Sequence, residues 1–434
     1  MKKVYLTICA MLTLTLGASA QACNAGRYSS DVYSAVTTNS TITYGSATTY
    51  NGTTQTLTLD EYEGTGDTCT ARPLIIWVHG GSFLSGSSTD ADVSSLSSHF
   101  AKKGFVCASI NYRVGMSNID SADAILAVIR GVQDLKAAIR FFYKDKKTTN
   151  TYKIDTNNIF IGGSSAGALT VDHAAYLTRD CQIVDAGYIT EVNLTNMGGL
   201  EGVSGNAGYS DKAKACISLC GALGKYGWME AGDMPLCSMH GTSDNVVTYS
   251  RGIVNPGIPL MYLDGDRMLY AQAKVVAVQD SFYTWVGAAH VPYAGSTAAE
   301  LAYMDTTVNF VRDFLVGQLG CTSVTPLQAS DKVFGTANLY SFTPCPLGIE
   351  PINGAGLVLN AYPNPSNNAV TVELANGQGA YTIQLSDISG RVISTGTTKE
   401  STYVIEKAGL SSGVYFLKVA DTKGITTVKK IIFY

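Results

Sequence analysis

Between residues 73 and 317 the chain alternates short, almost wholly apolar runs with longer stretches whose apolar residues recur every three or four positions. The short runs, 74–78 and 105–111, are what strands buried on both faces require. The longer stretches, 91–103 and 122–143, carry the single apolar stripe of a helix. In the second of these, Ile125, Val128, Ile129, Val132, Leu135 and Ile139 form the stripe, and a charged run is expected to end it. Further strands are predicted at 158–161, 215–219, 236–239 and 281–286, with helices at 166–177 and 298–316. Strands alternating with helices in this way predict an α/β fold around a mostly parallel sheet. The Gly- and Asn-rich stretch 185–211 has no periodicity and is long for a connector, so it is expected to be an insertion over the ligand edge of that sheet.

After Gly320 the texture changes. Residues 322–360 are rich in Pro, Ser, Thr and Gly and predict a linker. Short alternating segments then follow at 369–374, 381–385, 391–394, 414–419 and 427–434, a spacing that predicts a small β-sandwich of roughly 75 residues. At the other end, Lys2 and Lys3, the apolar stretch 4–16 and the small residues Ala18-Ser19-Ala20 have the layout of a cleavable export leader. That stretch is too short and too Thr-rich to span a bilayer, and no later segment has the required length. The expected organisation is a leader over 1–20, an α/β domain over 21–320, a linker over 321–357 and a β-sandwich over 358–434.

Composition narrows the partners. The formal net charge is −4 and no basic stripe is present, which excludes a nucleic-acid-binding surface of the usual kind. Of ten cysteines, Cys9 lies in the leader, and the odd remainder leaves at least one thiol without a partner in the chain. Cys107, inside an apolar strand run, is the expected buried thiol, and Cys23–Cys69 and Cys321–Cys345 are candidate bridges. Cys216 and Cys220 are four apart, but no second His or Cys pair completes a metal site, so neither metal nor organic cofactor is expected.

The chemistry concentrates at Gly163-Ser164-Ser165-Ala166-Gly167, a G-x-S-x-G match placed after a β-branched run and before an Ala-rich helical stretch. A strand, a tight turn and a helix in that order can hold a strained, exposed serine at the helix N-terminus. A second match, Gly409-Leu410-Ser411-Ser412-Gly413, lies between β-type segments with no helix or histidine after it and predicts a turn. A serine hydroxyl needs a base, and the base needs an acid to hold it. Five histidines exist: His79, His99, His173, His240 and His290. His173 is eight residues past Ser165 on the same predicted helix and is expected to face elsewhere. His290 and Asp244 both follow predicted strands, in the order serine, acid, histidine, and are the candidate base and acid. Asp264 and Asp266 compete for the acid's role, but Leu263-Asp264-Gly265-Asp266 has the pattern of a turn. His79-Gly80-Gly81-Ser82-Phe83, after the strand at 74–78, is the candidate oxyanion loop, with His79 holding the loop rather than moving protons.

With these residues in view, positions 73 to 317 resemble the α/β-hydrolase fold, in particular the carboxylesterase type B and hormone-sensitive-lipase-like esterases. The resemblance is carried by the His79–Phe83 loop residues, by Asn111-Tyr112-Arg113, by Asp134-Leu135-Lys136-Ala137-Ala138-Ile139-Arg140, by Ile154-Asp155 and by the elbow at Ser165. It implies Ser165 as nucleophile, Asp244 as acid, His290 as base, and the amides of Gly81, Ser82 and Ala166 as oxyanion hole, acting on small-molecule or polymer-borne esters. Two positions depart from the family: Ser82 stands where a third glycine is usual, and Ser164 where the type B group often has glutamate. A serine peptidase or a catalytically dead surface binder are the rival functions such a fold allows. The final segment resembles the type A sorting domain of the type IX secretion system, through Tyr362-Pro363-Asn364-Pro365, Asp387-Ile388-Ser389-Gly390-Arg391-Val392, Gly409-Leu410, Ser412-Gly413-Val414-Tyr415 and Lys429-Lys430-Ile431-Ile432. That implies passage across the outer membrane of a Gram-negative bacterium by that machinery, with release or surface attachment.

Overall fold

The computed structural model describes residues 26–322, 332–343, 345, 358–374, 380–388, 391–407, 409–422 and 426–434; the expected leader 1–20, Cys23 and the stretch 346–357 lie outside them. The chain divides into two compact units, Met1–Pro344 and Cys345–Tyr434. Among the described residues no helix is long and apolar enough to cross a membrane.

The strands of the first unit are β1 (Val36–Thr48), β2 (Thr54–Gly64), β3 (Arg72–Val78), β4 (Val106–Ile110), β5 (Ile154–Ser164), β6 (Ala215–Leu219), β7 (Ala222–Leu223), β8 (Leu236–Gly241), β9 (Arg251–Ile253), β10 (Tyr262–Gly265) and β11 (Asp280–Trp285). Eight of them form one sheet in the order β1-β2-β4-β3-β5-β6-β8-β11, and β7, β10 and β9 form a small second sheet. From β4 across to β11 all neighbours are parallel. Every residue of β3, β4 and β6 is buried, which is why these strands appear in the sequence as nearly unbroken apolar runs.

The two faces of β3 separate with the period of two that a strand imposes. Leu74, Ile76 and Val78 pack with α2 (Ser121–Lys147) and α3 (Ala166–Tyr176) on one side, through Leu135, Ile139 and Leu169. Ile75 and Trp77 face the other way, onto α1 (Ala91–Lys102) and α7 (Ala298–Gln318), through Leu96, Phe100, Val311 and Leu315. The charged run does not end α2 at residue 143 as expected. Its Lys144, Lys146 and Lys147 form the last turn, where cations complement the carbonyl end of a helix.

Three further features depart from expectation. An antiparallel hairpin, β1–β2, precedes the predicted α/β region and pairs through β2 with β4. β1 is polar and mostly exposed, with register irregularities between Asn39 and Ile42 and between Thr43 and Gly45. The stretch 185–211, which follows the short helix α4 (Asp180–Asp185) and contains α5 (Glu191–Asn196), is only in part an insertion at the ligand edge. Its later residues lie against α2 and β1 instead: the Gln133 amide donates to the carbonyls of Met197 and Gly199, and Asn206 donates to Tyr44. Finally, residues 332–343 of the expected linker pack on the first unit, with Leu339, Tyr340 and Phe342 against its core and the Tyr340 hydroxyl donating to Asp264 at 2.6 Å.

The second unit holds β12 (Val358–Tyr362), β13 (Ala369–Leu374), β14 (Tyr381–Asp387), β15 (Val392–Thr398), β16 (Thr402–Glu406), β17 (Gly413–Ala420) and β18 (Thr426–Phe433). They form two antiparallel sheets, β12-β13-β16 and β15-β14-β17-β18, whose inner faces share a core of Val370, Val372, Ile383, Leu385, Leu417, Val419 and Ile431. This is the small β-sandwich that the alternation predicts. The second G-x-S-x-G match leads directly into β17, and the Ser411 carbonyl accepts from the Tyr415 hydroxyl.

The expected Cys23–Cys69 bridge is not formed: Cys69 is a free thiol whose Sγ lies 3.6 Å from the Ala71 carbonyl. Cys107 is free and buried, and Cys181, Cys321 and Cys345 are disulfide-bonded.

Two segments that carry the family resemblance meet in one buried ion pair. The Arg113 backbone amide and Nε donate to Asp134 at 2.8 and 2.9 Å, and its other guanidinium nitrogens reach Thr48 O, Gln133 and Ser204. Ser204 in turn donates to Asp134 at 2.6 Å. The pair therefore fastens the segment after β4 to α2, the hairpin and the 185–211 stretch at once. Asp134→Ala leaves a buried guanidinium without its counter-charge and is expected to cost about 3–5 kcal/mol. Urea denaturation of the variant measures this loss.

Candidate active site

Parallel pairing puts the carboxyl ends of five strands in register: Val78 opposite Gly163, Ser164 opposite Leu219, Leu219 opposite Met239, and Gly241 opposite Trp285. The segments leaving those ends, which begin at His79, Ser165, Cys220, Thr242 and Val286, therefore emerge along one edge of the sheet.

β5 ends at Ser164 and α3 begins at Ala166, so Ser165 alone makes the turn, with φ 55° and ψ −119°. Its amide donates to Leu219 O at 3.0 Å, which anchors the turn to the neighbouring strand. The flanking glycines are required by space. A Cβ at Gly163 would lie 2.1 Å from Gly167 O, and one at Gly167 would lie 1.9 Å from Val78 O.

Asp244 and His290 arrive from the next loops. His290 Nε2 is 2.7 Å from Ser165 Oγ, and His290 Nδ1 is 2.6 Å from Asp244 Oδ2. The other carboxylate oxygen accepts from the amides of Val246 and Val247, so the acid cannot rotate. The loops that carry Asp244 and His290 are also joined by backbone: Thr242 N donates to Trp285 O and Ser243 N to Ala288 O. Burial would raise the Asp244 pKa, but hydrogen bonds from His240 and His290 outweigh it and hold the carboxyl well below the usual carboxylate range.

Across the turn, a Cβ on Gly80 would stand 3.2 Å from Ser165 Cβ, so the 79–83 loop lies directly against the serine. Gly81, Ser82 and Phe83 all have left-handed φ, 101°, 56° and 60°. Ser82 thus occupies the conformation that favours the glycine usual at this position. Among the described residues, the amides of Gly81, Ser82 and Ala166 donate to no protein acceptor. The loop is held from behind. Gly80 N donates to Asp92 Oδ2 at 3.0 Å, and the Tyr112 hydroxyl donates to His79 O at 3.1 Å. The His79 ring stacks on Tyr112 at 4.4 Å and its Nδ1 lies 2.7 Å from Gly80 O, so it belongs to the loop's framework. Ser164, at the position where glutamate is often found, accepts from the Tyr293 hydroxyl at 2.7 Å and so ties the elbow to the loop that carries His290.

The other candidates are used differently. His173 is buried, with Nδ1 on Leu169 O and Nε2 accepting from Gly224 N; burial pushes its pKa down to about 4 and keeps it neutral. Asp264 and Asp266 are not turn residues: the first lies within β10 and the second starts α6 (Asp266–Val276). Asp264 accepts from Tyr226 N, Arg251 and Tyr340. Asp266 accepts from Gly221 N and pairs with His240.

Two cavities meet at Ser165. One is apolar and the less open of the two, walled by Phe83, Val128, Leu169, Trp228, Val254 and Leu263 and also touched by Tyr188 from the 185–211 stretch. The other is open and more polar, bordered by Gly81, Asp90, Asn255, Gly257 and His290.

Residues 59–194 match the protein family BD-FAE, and residues 360–434 match the secretion system C-terminal sorting domain. Carboxylesterase 3B of Mus musculus is 34% identical over 117 residues, 26% of this chain and 19% of its own length. Gut esterase 1 of Caenorhabditis elegans is 30% identical over 111 residues, 25% of this chain and 19% of its own. The chain thus spans 19% of the length of these curated relatives. Among solved structures, Thermogutta terrifontis esterase 2 phosphonylated by cyclosarin is similar with TM-score 0.48 and 20% identity, covering 67% of this chain and 97% of that one. The same esterase phosphorylated by paraoxon gives TM-score 0.47 and 22% identity, over 64% of this chain and 94% of that one.

Because the elbow leaves no room beside Val78 O, Gly167→Ala is expected to force α3 away from β3. A lowered Tm together with weaker labelling of Ser165 by a fluorophosphonate checks this, relative to the same substitution at Gly317, where a Cβ meets nothing.

Proposed function

We propose that this chain, an α/β-hydrolase of the esterase type with a C-terminal secretion sorting domain, is an exported serine hydrolase of carboxylic esters. The observation that carries this reading is the unbroken line from Ser165 Oγ through His290 to Asp244, with both contacts at hydrogen-bond distance. Ser165 attacks the ester carbonyl as His290 takes its proton, and Asp244 holds the ring and balances the charge it acquires. The amides of Gly81, Ser82 and Ala166 receive the oxyanion; one such donor is worth roughly 100- to 1,000-fold in rate. His290 then protonates the departing alcohol, and water enters through the same steps to release the acid from the acyl-enzyme. No step calls for a cofactor. The apolar cavity suits the acyl group, and the open polar cleft beside His290 suits the alcohol, which leaves from the side where the proton donor stands. Export rests on the sorting domain at 360–434, and the type IX machinery is the partner it implies.

Ser165→Ala should lower turnover of p-nitrophenyl esters by roughly 10,000-fold or more, with Tm and secretion unchanged. Comparable turnover by the purified variant would remove the assignment. If the apolar cavity takes the acyl chain, Val128→Trp fills it and should depress octanoyl-ester hydrolysis at least tenfold while sparing acetyl esters. A substrate panel spanning acetyl, butyryl, octanoyl and feruloyl esters would reveal an unaltered preference, and with it a different acyl site.

A further inference from the structure

Behind the acid lies a second imidazole that the mechanism above does not use. His240, at the end of β8, is fully buried, and each of its ring nitrogens faces an acceptor. Nε2 is 2.9 Å from Val247 O and 3.3 Å from Asp244 Oδ2. A carbonyl oxygen can only accept, so Nε2 carries a proton. Nδ1 is 2.8 Å from Asp266 Oδ2. That same oxygen also accepts the Gly221 amide at 3.0 Å; as a carboxylate oxygen it takes both bonds and leaves a second proton on Nδ1, its hydrogen bond to His240 opposing the burial that raises the Asp266 pKa. Asp266 also opens α6, where the amide end of the helix favours its negative charge.

We infer that His240 is a buried imidazolium and a positioning residue for Asp244: held by Asp266, it grips the oxygen that holds His290 and offsets the negative charge around that base. The inference rests on the reading of His290 as general base. Groups facing His240 come from every neighbouring element. Asp266 belongs to α6, Asp244 to the loop after β8, and Asp172 to α3; the Tyr249 ring stands edge-on at 5.8 Å. Burial pushes the Asp172 pKa well above the usual range, which disfavours a third anion beside Asp244 and Asp266. Burial opposes charge on His240, yet its hydrogen bonds to Asp244 and Asp266 prevail and raise its pKa to about 10. A cation beside Asp244 fixes the carboxylate oxygen that orients the His290 ring.

His240→Gln removes that cation but keeps an amide in the site. With the hold on Asp244 loosened, kcat should fall roughly tenfold while KM stays unchanged. A purely packing role would lower Tm and leave kcat in place, so an unchanged kcat in a variant with native circular dichroism overturns the inference. If the variant does not fold, the native protein decides. With ¹⁵N-labelled histidine, one imidazole should hold protons on both nitrogens to above pH 9 and keep its signals when a fluorophosphonate caps Ser165. Absence of such a resonance overturns the inference. Neither readout depends on the loss of turnover in Ser165→Ala, so failure here and failure of the esterase reading can be told apart.

Discussion

One residue must reverse the chain between β5 and α3 while both elements press against the end of β3. That crowding governs the rest of the active edge. It forbids side chains at Gly163 and Gly167, drives Ser165 to positive φ and lifts its hydroxyl clear of the sheet. The same closeness brings the loop after Val78 within van der Waals distance of the serine, so the amides of that loop lie beside it with no movement of the scaffold. Because the strands are parallel and in register, the loops that carry Asp244 and His290 rise from the same edge and need only short spans to reach it.

What could be seen in the chain and what could not divides along physical lines. Strands buried on both faces leave a sequence signature that needs no partner to interpret, which is why β3, β4 and β6 stood out. The nucleophile candidate was legible because its neighbours are dictated by local sterics, and Asp244 and His290 because chain order along a parallel sheet leaves few alternatives. Hairpin β1–β2 was not, since an edge strand needs no continuous apolar face, and the polar Thr, Ser and Asn of β1 resemble a loop. Asp264-Gly265-Asp266 carries turn chemistry in its composition, but tertiary pairing to Arg251, Tyr340 and His240 overrides it. The role of 332–343 was hidden for a related reason: a segment without periodicity can still pack when a surface supplies sites for its Leu and aromatic residues.

The two sides of Ser165 have opposite character. Toward α2 and β10 the walls are aliphatic and aromatic, and the one imidazole among them, His173, is kept neutral by burial. Toward β8 and α6 the structure concentrates carboxylates and imidazoles within a few bonds of each other. Polar partners thus meet His290 on one side only, while the apolar side lowers the dielectric in which charges there act. The tie from Tyr293 to Ser164 and from Asp92 to Gly80 keeps these two environments in a fixed relation by joining the loop that carries His290, the elbow and the amide loop.

The margins of the large sheet matter for a chain that works outside the cell. Open strand margins expose rows of unpaired amides and carbonyls that recruit other chains. At one margin β1 answers with two register breaks and a surface of Thr, Ser and Asn, which spoils the straight template another strand would need. At the other, the segment after α7 comes back to bridge β11, with Lys332 alongside Tyr283 and Phe334 O receiving the Tyr249 hydroxyl. Resistance to amyloid-like stacking is accordingly written into the two ends of the sheet rather than its centre, and a truncation that removed residues 332–343 would strip one of those guards while leaving Ser165, His290 and Asp244 in place.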